Sequence, residues 1–387
     1  MHLHHYTSIA EQFRQSNRVI DVHEFGNGNI NDTYLVSTDV DERSHPQEKH
    51  FVLQRINTQV FKHPGLIMQN MRTFTEHVRR RARAEGHHWV MPRVISACDG
   101  QDFYIDPQGN FWRAISYVYG TRSFETIKDA RLAYEVGYAL GTFQYLISDL
   151  HADKLDDTLE GFHITPRYLQ GFDRAFSHNG HKSDAEVKYC LKFVEQRRGL
   201  AHVLEHAREQ GKLQLRPVHG DPKVNNVMIE ESSGRAISLV DLDTVKPGLI
   251  HYDIGDCMRS GCNPLGEETE NWESVYFDPE IGAAILEGYL TQARNFLTPA
   301  DYQYLFDSIR LLAFELGVRF FTDHLAGNVY FKVKHPQHNL QRALVQFKLT
   351  ESIEAHEADI HQIIQAQVRS SSETSQKPGT CVVSPAL

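Results

Sequence analysis

The sequence predicts an α+β protein with two lobes, a small sheet-rich N-terminal lobe and a larger helical C-terminal lobe. Segments rich in β-branched and aromatic residues, each bounded by turn residues, are concentrated between about residues 20 and 117. From about Thr121 onward, the apolar residues recur at helical spacing instead, interrupted by one short hairpin pattern. A run of strands followed by a run of helices is typical of the α+β class.

The N-terminal lobe is expected to contain a small sheet and one helix. In FGNGNINDTYLVST a Gly/Asn turn precedes a β-branched run, and KHFVLQRIN follows as a partner strand. Two more strands are predicted in HWVMPRVISA and NFWRAISYVYG. Between the second and third strands, residues 66–84 place their apolar side chains roughly at helical spacing, which predicts a helix.

The C-terminal lobe is expected to contain amphipathic helices over residues 132–150, 184–211, 305–320 and 339–367. Between the second and third of these helices, NVMIEE and AISLVDL are candidate strands of a hairpin. The last residues, RSSSETSQKPGTCVVSPAL, are rich in Ser, Thr and Pro, which predicts disorder. The predicted domains are therefore an N-terminal lobe, a C-terminal lobe and a disordered tail, over residues 1–118, 119–368 and 369–387.

The composition excludes several classes of function. The net charge is −10 and no basic face with interleaved aromatic residues is visible, so we expect no nucleic-acid partner. The five cysteines show neither the spacing of a disulfide framework nor that of a zinc site. The N-terminus lacks a signal-peptide pattern, and no apolar run approaches the ~18 residues of a membrane span. We therefore expect a cytoplasmic protein with no membrane partner.

The most informative segment is HGDPKVNNVMIEESSGRAISLVDLDT, residues 219–244. Asp221 lies in a His-Gly-Asp turn, Asn226 follows shortly after it, and Asp241 ends the apolar run ISLV. A hairpin formed by NVMIEE and AISLV would bring Asn226 and Asp241 together at one end. Phosphoryl transfer from ATP needs a base that orients the acceptor hydroxyl and hard oxygen ligands for Mg²⁺. Each residue alone has an ordinary interpretation as a cap or a turn residue, but their order and spacing together favour a catalytic site.

These motifs resemble those of a known superfamily. HGDPKVNN followed by LVDLDT is similar to the catalytic and metal-binding motifs of the aminoglycoside phosphotransferase and choline kinase superfamily, and HYDIGD resembles the segment that follows them. The resemblance implies the two-lobed protein-kinase-like fold, with ATP in the cleft between the lobes. It also implies that Asp221 is the catalytic base and that Asn226 and Asp241 hold Mg²⁺. Asp253 would then fix the catalytic loop.

A narrower resemblance concerns the acceptor. GNGNINDTYLV, FVLQRIN, DTVKPGLIHYDIGD, GVRFFTDHLAGNVYF and KHPQHNL resemble segments of the bacterial N-acetylhexosamine 1-kinases, from about residue 25 to about residue 349. This resemblance implies that Lys223 contacts the reacting groups and that Arg319 and Tyr330 bind the sugar. Each has an alternative interpretation: Lys223 as a solvated turn residue, Arg319 as an ion-pair partner of Glu315 on the same helix, and Tyr330 as a core aromatic residue.

Two segments are candidates for the nucleotide site. Gly26, Gly28 and Asn29 suit a turn whose backbone N–H groups cover phosphates, although a hairpin rich in Gly and Asn is also common without any ligand. The resemblance places Tyr117 and Tyr119 where the lobes join. Backbone groups there would hydrogen-bond to adenine, and the aromatic rings would form part of its pocket.

The sequence departs from the protein kinases in one respect. Protein kinases place a Lys in the strand after the Gly-rich loop, paired to a Glu of a helix. Here that strand carries Gln54 and Arg55, and Glu76 lies in the predicted helix. The N-acetylhexosamine 1-kinases are similar in carrying Gln at this position, so we do not interpret it as a loss of activity. It leaves the contact to the α- and β-phosphates unassigned.

We therefore expect an ATP- and Mg²⁺-dependent small-molecule kinase whose acceptor is a sugar hydroxyl, the anomeric 1-OH of an N-acetylhexosamine by the narrower resemblance. The alternatives are kinases of the same fold that act on another sugar, an amino alcohol or an aminoglycoside. A cationic acceptor would need several carboxylates in its pocket. A non-catalytic nucleotide-binding protein is the remaining alternative, which the presence of Asp221, Asn226 and Asp241 disfavours.

Overall fold

The computed structural model describes residues 2–13, 18–26, 28, 30–40, 49–179 and 184–374 of the chain. A sheet-rich N-terminal lobe is followed by a helical C-terminal lobe that contains the predicted hairpin, so the predicted two-lobed α+β class is confirmed. Within the described ranges, no helix is both long enough and apolar enough to cross a membrane.

One antiparallel sheet forms the centre of the N-terminal lobe. The elements of this lobe are, in chain order, α1 (His2–Ala10), β1 (Val19–Glu24), β2 (Asp32–Thr38), β3 (His50–Ile56), α2 (Pro64–Glu85), β4 (Val94–Ile95), β5 (Tyr104–Ile105) and β6 (Phe111–Ser116). The strand order is β1-β2-β3-β6-β4, and β5 pairs with the start of β6. Leu53 and Trp112 lie under α1 on one face, while Val52 and Ile115 pack with α2 on the other. The sheet is therefore covered by helices on both faces.

The strand predicted in HWVMPRVISA is much shorter than expected. Only Val94 and Ile95 pair with β6. The backbone N–H of Val90 instead donates to the carbonyl oxygen of Ile237, in the C-terminal lobe, at 2.8 Å. Pro92 has no N–H to give to a ladder. The first half of the segment therefore connects the two lobes rather than extending the sheet.

Most of the C-terminal lobe is helical. Its elements are β7 (Thr121–Arg122), α3 (Ala130–Ile147), α4 (Thr165–Asn179), α5 (Ala185–Arg197), α6 (Val203–Glu209), β8 (Arg216–Val218), β9 (Val227–Glu230), β10 (Ala236–Leu239), β11 (Lys246–Gly248), α7 (Ile250–Gly261), α8 (Pro279–Ala293), α9 (Pro299–Gln303), α10 (Leu305–Ala326), α11 (His338–Ala355) and α12 (Glu357–Thr374). The strand β9 pairs with β10 and β7, and β8 pairs with β11. The predicted domain boundary at 118–119 lies between β6 and β7, whose partners belong to different sheets.

Two predicted helices are each divided in the structure. The segment 184–211 forms α5 and α6, separated by a 3₁₀ turn that contains Gly199, a poor helix former. The segment 339–367 forms α11 and α12, and the break lets Ile360 and Ile364 reach the core. The last helix runs to Thr374, so residues 369–374, predicted to belong to the disordered tail, continue it. The rest of that tail lies outside the described residues.

The helices α3 and α8 cross at backbone contact, which fixes α3 beneath the site. A Cβ atom on Gly137 would lie 1.9 Å from the carbonyl oxygen of Ile285, and one on Gly288 would lie 2.0 Å from that of Tyr134. Only glycine allows such an approach. The position of α3 matters for the site because Gln144, on the same helix, donates to Asp253, the carboxylate that binds the backbone N–H groups of His219 and Gly220.

Candidate active site

The predicted catalytic turn follows β8 and is held by a buried carboxylate. Asp253 of α7 accepts hydrogen bonds from the backbone N–H groups of His219 and Gly220, at 2.9 and 2.8 Å. Gln144 donates a third from Nε2 at 2.9 Å and itself accepts one from the hydroxyl of Tyr289 at 2.8 Å. Burial raises the pKa of Asp253, although these donors oppose the rise. The side chain of Asp253 therefore ties the turn to α3, α7 and α8.

Local geometry explains the His-Gly sequence before Asp221. Gly220 has a φ of +87°, and a Cβ atom there would lie 2.8 Å from the carbonyl oxygen of Thr244. The Nδ1 atom of His219 accepts from the N–H of Asp221 at 3.2 Å, while Nε2 lies 3.1 Å from the carbonyl oxygen of Val240. The proton of the neutral ring is therefore on Nε2. Burial lowers the pKa of His219, which favours this neutral form.

Asp221 lies beside Lys223 and Asn226. The Nζ atom of Lys223 is 2.9 Å from Oδ2 of Asp221, and both side chains are partly exposed. Asn226 donates from Nδ2 to the backbone oxygen of Asp221 at 2.7 Å and to its Oδ2 at 3.3 Å. Burial acts to raise the pKa of Asp221, but the charge of Lys223 outweighs this and the net shift is downward. Asp221 is thus an ionised carboxylate that is held in place and open to a ligand.

The hairpin of β9 and β10 brings Asn226 and Asp241 to the same end. Leu239 is opposite Val227, and the N–H of Val240 donates to the backbone oxygen of Asn226 at 2.9 Å. Asp241 has a left-handed backbone with φ of 63°. Non-glycine residues in this region are uncommon and cluster at functional sites.

The donor atoms at this end suit a hard divalent cation. Asp241 is exposed, and desolvation by its surroundings together with the negative charge of Asp243 raises its pKa to about 6. The Nδ2 atom of Asn226 is committed to Asp221, which leaves its Oδ1 available. Elsewhere in the described chain, as here, no group of three or more His, Cys, Asp or Glu residues is arranged to hold a metal. A carboxylate and an amide oxygen are a fitting partial set for Mg²⁺, which commonly completes its shell with water and phosphate oxygens.

Asp243 is buried and connects this loop to the N-terminal lobe. It forms an ion pair with Arg113 of β6 and accepts from Nδ2 of Asn31 at 2.6 Å. Arg113 also donates from Nε and Nη2 to Oε1 of Gln54, at 2.9 and 2.6 Å. Gln54 therefore orients a buried cation, and the charge of Arg113 is close enough to act on the pKa of Asp241. This network occupies the region where a protein kinase carries its Lys and Glu pair.

The other charged residues of that region point elsewhere. Arg55 donates from Nε to Oδ2 of Asp32 at 2.9 Å. Glu76 is exposed and lies 3.3 Å from Arg72 on the same helix. Asp32 also lies 3.2 Å from Nζ of Lys332, so the chain after α10 contacts the N-terminal lobe. Arg55 and Glu76 therefore take no part in the buried network.

The glycine-rich turn is described in part. Gly26 has a left-handed φ of +76°, and no atom lies within 4 Å of a Cβ built on it, so its backbone conformation rather than space favours glycine. Gly28 is exposed, and Asn29 lies outside the described residues. The turn is anchored from behind by Asn31, whose Oδ1 accepts from the N–H of Asn57 at 2.9 Å.

An aromatic group connects this turn with the segment between the lobes. The rings of Phe25 and Tyr117 are 6.0 Å apart, and those of Tyr117 and Tyr119 are 4.9 Å apart. The hydroxyl of Tyr119 accepts from the N–H of His50 at 2.5 Å. Tyr117 and Tyr119 thus form one wall beside the turn that contains Gly26.

Arg319 of α10 lies among aromatic rings. Its guanidinium carbon is 5.1 Å from the ring centres of Phe162 and Tyr168 and 5.5 Å from that of Phe331. Such contacts stabilise a cation through the negative faces of the rings. The groups that raise the pKa of Arg319 against burial are, in order of effect, Tyr168, Tyr330, Glu315 and Asp221. Arg319 is therefore within electrostatic reach of the turn that contains Asp221.

The ion pair of Arg319 with Glu315, considered as an alternative, is not formed. Oε1 of Glu315 lies 2.8 Å from Nδ1 of His163, and its Oε2 accepts from the hydroxyl of Thr165 at 2.7 Å. Within the described part of the chain, the guanidinium of Arg319 has no hydrogen-bond or carboxylate partner. It remains available to a ligand.

Tyr330 lies in the loop after α10 and is not a core residue, because 41% of it is exposed. Asp323 shapes this loop by accepting from the N–H groups of Val329, Tyr330 and Phe331 at 2.8–3.0 Å. The rings of Tyr330 and Phe331 are 4.8 Å apart, which places Tyr330 next to the rings around Arg319.

Three residues of this region were not predicted from the sequence: Arg113, Asp243 and His163. Asp243 is two positions from Asp241 and had a signal in LVDLDT. Arg113 had none, because only the register of β3 with β6 places it opposite Gln54. His163 is 152 positions from Glu315, and no local pattern connects them.

The chain is similar to known phosphotransferases in sequence and in fold. The chain matches the model of the phosphotransferase enzyme family over residues 21–299. A microcompartment-associated aminopropanol kinase has a TM-score of 0.63 at 15% identity, over 92% of this chain and 98% of its own. An aminoglycoside phosphotransferase from Alicyclobacillus acidocaldarius has a TM-score of 0.56 at 14% identity, over 93% and 96%. A choline kinase from Cryptosporidium parvum has a TM-score of 0.56 at 14% identity, over 91% and 92%. At these identities the structural likeness shows a shared fold.

Proposed function

Because the chain belongs to the phosphotransferase enzyme family, we propose that it is a small-molecule kinase that transfers the γ-phosphoryl group of ATP to a sugar hydroxyl. The proposed acceptor is the anomeric 1-OH of an N-acetylhexosamine. The observation that carries this proposal is the unpaired guanidinium of Arg319, held among aromatic rings within electrostatic reach of Asp221. Aromatic faces and an unpaired donor suit an uncharged polar ring better than a cation.

Asp221 is proposed as the base that orients the acceptor hydroxyl and takes its proton. Its pKa is held below the ordinary value, so the carboxylate is ionised at neutral pH. The 1-OH of a hemiacetal is more acidic than an ordinary alcohol, and a carboxylate therefore suffices as its base. The loose transition state of phosphoryl transfer further limits the demand on the base.

Lys223 is proposed to contact the transferred phosphoryl group. Its positive charge also keeps Asp221 ionised. Asp221 and Asp241 raise the pKa of Lys223 against the effect of burial, so Lys223 is protonated at neutral pH. Asn226 and Asp241 would hold Mg²⁺, which when bound supplies positive charge to the phosphate oxygens.

The nucleotide is proposed to bind between the turn that contains Gly26 and the segment that joins the lobes. Tyr117 and Tyr119 would contribute to the adenine pocket, and the backbone N–H groups of the turn would cover the phosphates. Arg113 is only 1% exposed, so we assign it to holding the two lobes in register rather than to a phosphate contact. Its partner Asp243 lies in the loop that contains Asp241 and accepts a hydrogen bond from Asn31, so Asp243 couples the glycine-rich turn to that loop.

Tyr330 and Arg319 are proposed to contact the sugar. Tyr330 is exposed beside Arg319, which supports a joint contact with the acceptor. A cationic acceptor, such as an amino alcohol or an aminoglycoside, would be repelled by the positive charge of Arg319. The neighbouring carboxylate, Glu315, is already bound by His163 and Thr165 and offers no compensation. This arrangement disfavours the cationic alternatives.

The test is an acceptor panel with purified protein, ATP and Mg²⁺. The panel contains N-acetylglucosamine, N-acetylgalactosamine, the corresponding free hexoses, choline, ethanolamine and kanamycin, and product regiochemistry is determined by ³¹P and ¹³C NMR. We expect the 1-phosphate of an N-acetylhexosamine. Transfer to choline or kanamycin, with none to any N-acetylhexosamine, would contradict the substrate assignment. ATP binding without product from any acceptor would favour a non-catalytic nucleotide-binding protein.

A further inference from the structure

His163 lies between the acceptor region and the catalytic turn. It is buried, 5% exposed, and has a left-handed φ of 63°, which few non-glycine residues adopt. Its Nδ1 atom lies 2.8 Å from Oε1 of Glu315, and its Nε2 atom lies 2.6 Å from the carbonyl oxygen of Gly220. Gly220 immediately precedes Asp221, and Glu315 is one helical turn before Arg319. One imidazole ring therefore contacts both parts of the site.

Both partners of the His163 ring are hydrogen-bond acceptors. The backbone carbonyl oxygen of Gly220 has no proton to donate, and an ionised Glu315 has none either. Each ring nitrogen must therefore carry a proton, which is the imidazolium form. His219 differs, because its Nδ1 accepts from a backbone N–H and its ring is neutral.

The surroundings of His163 support this charge. Burial and the positive charge of Arg319, also on α10, act to lower the pKa of His163. The carboxylate of Glu315 acts to raise it, and the net shift is upward. Two tyrosines also lie next to the ring of His163. The ring of Tyr252 on α7 is stacked at 5.3 Å, and Tyr168 on α4 lies beside it; burial raises the pKa of each, so both stay neutral.

The position of Glu315 determines whether Arg319 is free. Carboxylate and guanidinium four residues apart on one helix pair readily when nothing competes. Here both oxygens of Glu315 are occupied, one by His163 and the other by Thr165 at 2.7 Å. Removing the imidazolium would release Oε1 toward Arg319.

We propose that His163, as an imidazolium, is a positioning residue that keeps Glu315 from pairing with Arg319 and holds the Gly220 carbonyl beside the catalytic Asp221. This inference rests on the proposed function, in which Arg319 binds the acceptor. The charged side chain of His163 then determines both whether Arg319 is available to the acceptor and how the turn of Gly220 and Asp221 is held.

The first test separates this role from a merely structural one. His163→Gln removes the positive charge that holds Glu315, and we expect the KM for the acceptor to rise about tenfold or more, as for losing a hydrogen bond to a charged group, while the KM for ATP is unchanged. Adding Glu315→Gln to this variant removes the carboxylate that captures Arg319. The acceptor KM should then return toward the wild-type value. An acceptor KM in the double variant as high as in the single variant, or an unchanged KM in the single variant, would overturn the proposal.

The pH dependence has a definite sign. A raised pKa means that the imidazolium is present at low pH and is lost as the pH rises through that pKa. In the wild type, kcat/KM for the acceptor should therefore fall on the alkaline side, and this limb should be absent in His163→Gln. An identical alkaline limb in both proteins would contradict the role of His163.

The second test needs no acceptor. In protein with ¹⁵N-labelled histidine, the side-chain signals that disappear in His163→Gln belong to His163. We expect both of its nitrogens to be protonated at about pH 7.5, where a free histidine is mostly neutral. A neutral tautomer would overturn the proposal. Because this spectrum is independent of phosphoryl transfer, a negative acceptor panel would reject the proposed function without affecting the result.

Discussion

The buried pair of Arg113 and Asp243 is expected to be a main connection between the lobes. The side chains are 1% and 3% exposed, so each charge depends on the other. Replacing Arg113 by Met keeps much of the volume of the side chain and removes the guanidinium. Asp243 would then stay buried with the amide of Asn31, 2.6 Å away, as its remaining side-chain donor. Gln54 would lose both of its hydrogen bonds from Arg113.

The expected effect is large. Removing one partner of a buried ion pair costs about 3–5 kcal/mol in the free energy of unfolding, because the remaining charge is uncompensated. Proteins of this kind are stable by about 5–15 kcal/mol, so Arg113→Met should fold but unfold at lower denaturant concentration. The double variant with Asp243→Asn removes both charges, and its loss should be smaller than that of Arg113→Met by about 2 kcal/mol.

Urea unfolding provides the assay. The transition is followed by circular dichroism and by tryptophan fluorescence, for which the buried Trp112 beside Arg113 is a reporter. The two single variants and the double variant complete a cycle that isolates the pair. A loss below about 1 kcal/mol in Arg113→Met would show that the pair contributes little to the connection between the lobes, and so would losses in the two single variants that simply add in the double variant.

Three further predictions concern the site. Gly220→Ala places a Cβ atom against Thr244 and should lower turnover by about 10²-fold. Steady-state kinetics measures the turnover, and circular dichroism checks that the variant is folded. Near-normal turnover in the variant would contradict this prediction. Asp241→Asn should raise the Mg²⁺ concentration needed for half-maximal turnover about tenfold or more, and an unchanged Mg²⁺ titration would reject this ligand assignment. Arg319→Met should raise the KM for the acceptor about tenfold and leave the KM for ATP unchanged. The control variant Arg167→Met, at an exposed arginine, should change neither KM. Equal effects of the two substitutions would contradict a contact of Arg319 with the acceptor.

The fold was predictable wherever one face of an element is buried. The segment 132–150 has an apolar stripe and forms α3, and a β-branched run after a Gly/Asn turn, with its partner segment, indicated β2 and β3. In contrast, no helix was predicted over α7, which is buried along nearly its whole length and whose polar residues Asp253, Asp256 and Arg259 are buried rather than on a solvated face. The division of residues 339–367 into two helices was also not predicted, because it depends on how Ile360 and Ile364 pack into the core.

The candidate site was predictable where its parts are close in sequence. Asp221, Asn226 and Asp241 lie on one turn and one hairpin, and a single supersecondary unit brings them together. The contact of Arg113 with Asp243 and that of His163 with Glu315 join distant segments. They depend on strand register and on the packing of α10, which a single sequence does not reveal.

Asp221 is proposed as the base of the phosphoryl transfer, and replacing it tests the proposed function most directly. Asp221→Asn keeps the shape of the side chain and removes its charge, and the measurement is turnover with the preferred acceptor alongside ATP affinity by calorimetry. A positioned base contributes about 10²–10⁴ in rate, so we expect turnover to fall at least ~10²-fold while ATP affinity changes little. Near-wild-type turnover in Asp221→Asn would contradict the assignment.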